Sequence, residues 1–131
     1  MPITAFYASL LAFLFLLLSA RVIVQRRDDR VELGAGDSSE LFRRARVHAN
    51  FAEYVPMALL LLALTESLKA PTSVIHLLAI CLVAGRLLHA YGLSQTPHIL
   101  KWRTVGMVLT LTVICIAALL CFTLAGLNLI V

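Results

Sequence analysis

The segment "RVHANFAEYVPMALLLLALTESL", residues 46–68, is polar in its first half and mostly aliphatic in its second half. A helix that crosses the hydrocarbon core of a bilayer needs about 20 mainly apolar residues, and this segment has that length. Arg46, Asn50 and Glu53 all stand before Pro56, whereas Met57 begins the aliphatic run. We therefore predict a membrane helix whose polar residues gather toward one end.

The composition of the whole chain supports the same environment. Of its 131 residues, 61% are hydrophobic and 14% are charged, whereas soluble domains average about 45–50% apolar and about 25% charged residues. This excess of apolar side chains favours a membrane protein over a soluble bundle. The net charge of +4 is not arranged as a basic stripe interleaved with aromatic residues, so no nucleic-acid partner is predicted. No CxxC or comparable spacing predicts a metal site.

Three further segments resemble the first in length and hydropathy. The four predicted spans cover approximately residues 3–24, 46–68, 73–93 and 104–130. Backbone groups in hydrocarbon must satisfy their own hydrogen bonds, so each span is predicted to be a helix. The first span has no Lys or Arg before Arg21, which favours a retained helix over a signal peptide. We predict an all-α integral membrane four-helix bundle that forms a single domain over residues 1–131.

Positive charge is distributed unevenly among the three connections. Seven arginines surround the first connection: Arg21, Arg26, Arg27, Arg30, Arg43, Arg44 and Arg46. Lys101 and Arg103 flank the third connection, whereas Lys69 alone marks the second. The positive-inside rule therefore places connections one and three in the cytoplasm and both termini outside.

The second helix is predicted to begin before its membrane span. Gly34 and Gly36 interrupt the preceding chain, and Asp37 with Glu40 has the spacing of a capping box. A start near Ser38 would make this helix about 45 Å long at 1.5 Å per residue. Because the hydrocarbon core is about 30 Å thick, its first turns are expected to protrude from it.

The polar residues of the second helix are predicted to share one face. At about 100° per residue, the stripe contains Arg43, Arg46, Asn50, Glu53, Tyr54 and Met57. His48 and Arg44 point elsewhere. Ionisable groups at membrane depth cost about 2.5–3.5 kcal/mol each and normally face the bundle interior or a wet cavity. An internal salt bridge between Arg46 and Glu53 is the structural alternative, although two turns is a long separation for it.

Other basic residues lie at the same predicted depth as this stripe. They are Arg21 on the first helix, Arg86 and His89 on the third, and Lys101 and Arg103 before the fourth. Together these groups predict a cavity rich in guanidinium groups with one carboxylate and one amide. Since Arg binds carboxylates bidentately, such a cavity suits a small polyanion, and Glu53 could receive an amine on the same molecule.

The pattern RxxxNxxEYxP, formed by Arg46, Asn50, Glu53, Tyr54 and Pro56, resembles the second-helix signature of the MAPEG family. The segments "GRLLHAYGLS" and "SAR" also resemble that family, particularly its small bacterial-type members. The resemblance implies a four-helix protomer in a homotrimer, with glutathione bound between protomers near the cytoplasm. It implies glutathione contacts from seven residues: Arg21, Arg46, Asn50, Glu53, Tyr54, Arg86 and His89.

The resemblance also implies a chemical step and a location. An arginine at the start of the fourth helix would stabilise the glutathione thiolate; Arg103 matches best, with Lys101 as the alternative. The resemblance implies a glutathione transferase in the bacterial inner membrane, with glutathione peroxidase as an additional activity. Its second substrate would be an apolar electrophile or lipid hydroperoxide from the bilayer. Two alternatives stay open: a non-catalytic family member that binds lipid or glutathione, and a small proton-coupled transporter that uses Glu53.

Overall fold

A computed structural model describes residues 1–130, and Val131, the last residue of the predicted domain, lies outside them. The chain forms four helices: α1 (Pro2–Asp29), α2 (Ser39–Ser67), α3 (Thr72–Ser94) and α4 (Leu100–Ile130). Each of them is long and apolar enough to cross a membrane. The prediction of an all-α integral membrane four-helix bundle is therefore confirmed.

The two middle helices hold the bundle together. α2 and α3 pack against each other, and both α1 and α4 pack against this pair. Over residues 1–130, α1 and α4 make no contact with one another. The core consists mainly of small and aliphatic side chains from all four helices, among them Leu11, Ala58, Leu82 and Ala117.

The outer helix surfaces are apolar, as contact with lipid requires. Phe13 on α1 is 71% exposed and Phe122 on α4 is 80% exposed. Exposing such a side chain to water costs about 1.5–3 kcal/mol of free energy relative to burying it. In a bilayer this penalty disappears, so the exposed aromatic and aliphatic faces of α1 and α4 are the lipid-facing surface.

The beginning of α2 confirms the predicted start but corrects the capping residue. Ser38 is the N-cap, and its hydroxyl accepts a hydrogen bond from the amide of Leu41 at 3.1 Å. Asp37 was the predicted cap. Glu40 does not complete a capping box with it, because its carboxylate binds Arg43 at 2.9 Å and Arg44 at 2.7 Å. These ion pairs hold two basic side chains beside the first turn of α2.

A carboxylate at the far end of α2 joins that helix to α1. Glu66 accepts hydrogen bonds from the backbone amides of Ile3, at 3.0 Å, and Thr4, at 2.8 Å. The first amides of a helix have no partner within the helix, and a negative charge there also suits the helix dipole. Glu66 therefore caps α1 from outside, at the opposite end of the bundle from Arg46.

The backbones of α3 and α4 come very close together at three glycines: Gly85 and Gly92 on α3 and Gly106 on α4. A Cβ atom on Gly106 would lie 2.5 Å from the carbonyl oxygen of Gly85 and 2.5 Å from the amide nitrogen of His89. Helices in membranes approach this closely only where small residues stand at the crossing. The crossing at Gly85 and Gly106 therefore determines how α3 and α4 face each other near His89.

We predict that Gly106→Ala weakens the fold, because its methyl group would push the two backbones apart. Overpacking of this kind costs about 1–3 kcal/mol. Unfolding in detergent micelles measures the change. Gly126→Ala on the same helix is the matched control, because no atom lies within 4 Å of its added Cβ. Its free energy of unfolding should stay the same or rise by up to about 1 kcal/mol. Equal effects of the two substitutions would contradict the role of the crossing.

Candidate functional site

A cavity of about 520 Å³ lies between α2, α3 and α4 at the end of the bundle that carries the arginines. We call it the polar cavity. Its lining residues are Phe42, Arg46, Asn50, His89, Leu93, Arg103, Thr104, Met107 and Val108. Three helices contribute to its wall, so its shape depends on their packing.

The polar cavity brings together four of the residues that sequence analysis selected. Arg46 and Asn50 are one turn apart on α2, His89 comes from α3, and Arg103 stands in the first turn of α4. The lining therefore contains two guanidinium groups, an amide and an imidazole, and no carboxylate among the described residues. Such a wall favours an anionic ligand with several hydrogen-bond acceptors.

His89 is held in one orientation by α4. Its ring nitrogen Nδ1 lies 3.1 Å from the backbone carbonyl oxygen of Arg103. A carbonyl oxygen only accepts hydrogen bonds, so Nδ1 must carry the hydrogen. The ring is 5% exposed, and within residues 1–130 its other nitrogen, Nε2, has no partner. This bond joins α3 to the first turn of α4, which contains Arg103.

Arg86 lies behind the cavity wall and is not one of its lining residues. The residue is fully buried, with 0% exposure. Its Nη2 donates to Oδ1 of Asn50 at 2.7 Å, and Nη1 lies 3.5 Å from the hydroxyl of Thr110. The guanidinium carbon stands 5.6 Å from the ring centre of Phe51. Contact between Arg86 and glutathione stays a prediction, whereas its contact with Asn50 is a structural fact.

Arg46 and Glu53 form the ion pair that sequence analysis considered as an alternative. Arg46 Nη1 lies 4.0 Å from Glu53 Oε1, and the two side chains are 51% and 52% exposed. A pair with this geometry and exposure contributes at most about 1 kcal/mol. Glu53 lies outside the lining of the polar cavity. Half of each side chain is thus free to meet another molecule.

Arg21 and Tyr54 also lie outside the lining of the polar cavity. Arg21 donates from Nη1 to the hydroxyl of Ser94 at 3.2 Å, which links α1 to the last residue of α3. Tyr54 is half-buried on α2. The glutathione contacts expected of these two residues stay predictions.

The structure distinguishes the two candidates for the thiolate-stabilising cation, Arg103 and Lys101, at the beginning of α4. Arg103 lines the polar cavity. Lys101 is exposed, and its ammonium nitrogen lies 5.8 Å from the ring centre of Trp102. Two residues along a helix turn the side chain by about 200°, so the two cations face different sides. Only Arg103 is placed to act on a ligand in the polar cavity of the same protomer.

Sequence analysis missed five lining residues: Phe42, Leu93, Thr104, Met107 and Val108. Phe42 precedes Arg46 by one turn and therefore continues the α2 stripe. Thr104, Met107 and Val108 have the spacing of one helix face beside Arg103. The helical period could have found them, but in an apolar chain an apolar residue carries no distinguishing signal.

A second, apolar cavity of about 320 Å³ lies between α1 and α2. It is lined by Leu11, Ala12, Phe15, Phe51, Ala52, Val55, Pro56 and Leu59. A proline inside a helix favours a bend, which would open space next to it. α2 continues through Pro56, and the space next to this proline is on the side of α1. Pro56 faces α1 because, at about 100° per residue, it projects away from the face of α2 that carries Arg46 and Asn50.

Comparisons with known proteins agree with this architecture. Residues 4–123 match the model of the MAPEG family. The chain is 39% identical over 105 residues to the inner membrane protein YecN of Escherichia coli strain K12, covering 80% of this chain and 79% of that protein. The YecN protein of E. coli O6:H1 strain CFT073 matches to the same extent. With four membrane-spanning helices and a family match over nearly its whole length, the chain belongs to the MAPEG family.

Proposed function

We propose that this protein is a membrane-bound glutathione transferase that also reduces lipid hydroperoxides. The observation that carries the proposal is the polar cavity, where Arg46, Asn50, His89 and Arg103 meet from three helices. Glutathione has two carboxylates, an amine, two peptide groups and a thiol. The two guanidinium groups and the amide of the cavity suit its carboxylates and carbonyl oxygens. Glu53, near the rim beside Arg46, suits its amine.

The chemical task of the site is to ionise the glutathione thiol. A thiol with a pKa of about 8.5 is only a few per cent ionised at pH 7. A guanidinium in a partly dry site lowers the thiol pKa by about one to two units, because it stabilises the thiolate. Each unit corresponds to about 1.4 kcal/mol. Arg103 supplies that charge from the wall of the polar cavity.

The thiolate then acts as the nucleophile. Its sulfur forms a bond to an electrophilic carbon, and the electron pair of the broken bond leaves with the departing group. With a lipid hydroperoxide, the sulfur attacks the O–O bond and releases the alcohol. The resulting sulfenic acid reacts with a second glutathione to give the disulfide and water. The apolar lipid-facing surface supports a second substrate that arrives from the bilayer.

We further propose the assembly and placement that family membership implies. Arg46 and Glu53 are half-exposed on the protomer surface, which suits a homotrimer with glutathione held between neighbouring protomers. The arginine-rich end, with the first and third connections, would face the cytoplasm and both termini would lie outside. The similarity to YecN, an inner membrane protein, supports the bacterial inner membrane as the location.

We predict that Arg103→Ala strongly reduces thiolate formation, whereas Lys101→Ala preserves it. Glutathione is added to the purified protein, and thiolate absorbance is followed in the near ultraviolet. If the thiol pKa rises by one unit when Arg103 is removed, the thiolate fraction falls about tenfold, which corresponds to about 1.4 kcal/mol. Lys101→Ala is the matched control, since it removes a neighbouring cation outside the cavity.

Three outcomes separate the hypotheses. If the parent protein shows neither thiolate nor glutathione binding, the transferase proposal is wrong. If it binds glutathione without forming thiolate, the non-catalytic alternative is favoured. If both variants behave like the parent, catalysis does not depend on either cation at the start of α4.

We also predict that Glu53→Gln weakens glutathione binding about tenfold, or about 1.4 kcal/mol, because it removes the charge that receives the amine. Isothermal titration calorimetry measures the affinity. Glu32→Gln, an exposed carboxylate in the first connection, is the matched control and should bind like the parent. A glutathione analogue that lacks the amine should bind parent and Glu53→Gln equally. Unchanged glutathione affinity combined with loss of proton-coupled transport would favour the transporter alternative.

A further inference from the structure

The guanidinium of Arg86 is buried in an unusual setting. It is fully buried on α3, and none of the ion pairs found within residues 1–130 includes it. Its Nε has no hydrogen-bond partner among these residues, and its contact with Thr110 is long, at 3.5 Å. A buried charge without an opposite charge destabilises a fold. The short bond to Asn50 is therefore the feature that needs an explanation.

The direction of that bond determines how the amide of Asn50 is turned. Arginine can only donate, so the atom of Asn50 that faces Arg86 is the carbonyl oxygen Oδ1, at 2.7 Å. Rotating the amide by 180° would set its NH2 group against the guanidinium, with donor facing donor. The flipped form would lose the bond and leave a buried cation unsatisfied. The NH2 group consequently points away from Arg86.

Asn50 also lines the polar cavity, so the orientation of its amide determines which hydrogen bond it can form with a ligand. With Oδ1 engaged by Arg86, the NH2 group is the part of Asn50 left for a ligand. Arg46 and Arg103 likewise only donate. Asn50 therefore adds a third donor to the wall instead of an acceptor.

We propose that Arg86 is a positioning residue that locks Asn50 as a hydrogen-bond donor toward the polar cavity. In this arrangement Arg86 touches no ligand. The cavity accepts a carboxylate or carbonyl oxygen at Asn50 and rejects a ligand that presents an N–H there. The inference rests on the proposed function for the identity of the ligand, glutathione, but its geometric part concerns this chain alone.

The decisive variant is Asn50→Asp. It gives Arg86 a carboxylate partner, so the thermal midpoint of unfolding should stay the same or rise. It also replaces the cavity donor with an acceptor, so the affinity for reduced glutathione should fall at least tenfold. The fluorescence of Trp102, the single tryptophan, next to Arg103, reports binding. Asn128→Asp, at an exposed position near the other end of α4, is the matched control and should change neither quantity.

A second set of variants tests whether Arg86 acts through Asn50. Arg86→Met removes the donor and the buried charge and puts an apolar side chain of similar length in their place. Glutathione affinity should fall at least threefold because the amide can then flip. Arg86→Lys keeps a donor and should recover part of the loss. In an Asn50→Leu background, Arg86→Met should cause no further loss of affinity.

The possible results lead to different conclusions. Affinity of Asn50→Asp within twofold of the parent would overturn the proposal, and so would an undiminished effect of Arg86→Met in the Asn50→Leu background. If the parent binds no glutathione, the proposed function fails. The hydrogen bond from Arg86 to the carbonyl of Asn50, called the lock, is then tested by thermal unfolding of the Asn50 variants alone. Asn50→Asp, which keeps an acceptor toward Arg86, must then unfold at a higher temperature than Asn50→Leu, which has none. An equal or lower temperature would overturn the lock as well.

Discussion

The close approach of the α3 and α4 backbones at Gly85 and Gly106 is the constraint on which the arginine-rich end of the structure depends. A Cβ atom on Gly106 would stand 2.5 Å from backbone atoms of α3, so no larger residue fits without separating the helices. This contact brings His89 within 3.1 Å of the carbonyl oxygen of Arg103. It therefore places the first turn of α4, and the guanidinium of Arg103, against the polar face of α2.

A second constraint joins α3 to α2. Arg86 is buried at this junction and holds Asn50 by a 2.7 Å hydrogen bond. Arg86 and His89 are one turn apart on the same face of α3. This face therefore orients both the cavity residue of α2 and the beginning of α4. The polar cavity is rich in hydrogen-bond donors because two carbonyl acceptors are already occupied. The carbonyl of Asn50 accepts from Arg86, and the carbonyl of Arg103 accepts from His89. An anionic ligand supplies acceptors for the donors of the wall.

Several features could be predicted from the sequence because they depend on local pattern. The four spans follow from hydropathy, and the α2 stripe follows from the helical period. The different structural roles of chemically identical residues, such as the arginines of the membrane helices, could not be predicted in this way. Arg46 is half-exposed at the rim of the polar cavity, whereas Arg86 is fully buried behind it. Both are arginines in membrane helices, and only the packing of α2 on α3 distinguishes them.

By itself, the sequence determined the environment of the chain, the number of its helices and the face of α2 that is polar. These properties depend on residues close together in the chain, where helix geometry translates spacing directly into direction. Tertiary structure alone decided that Arg103 and not Lys101 reaches the cavity and that the space beside Pro56 faces α1. Each of these depends on where a side chain meets another segment, and in a bundle that position is set by the rotation and closeness of neighbouring helices.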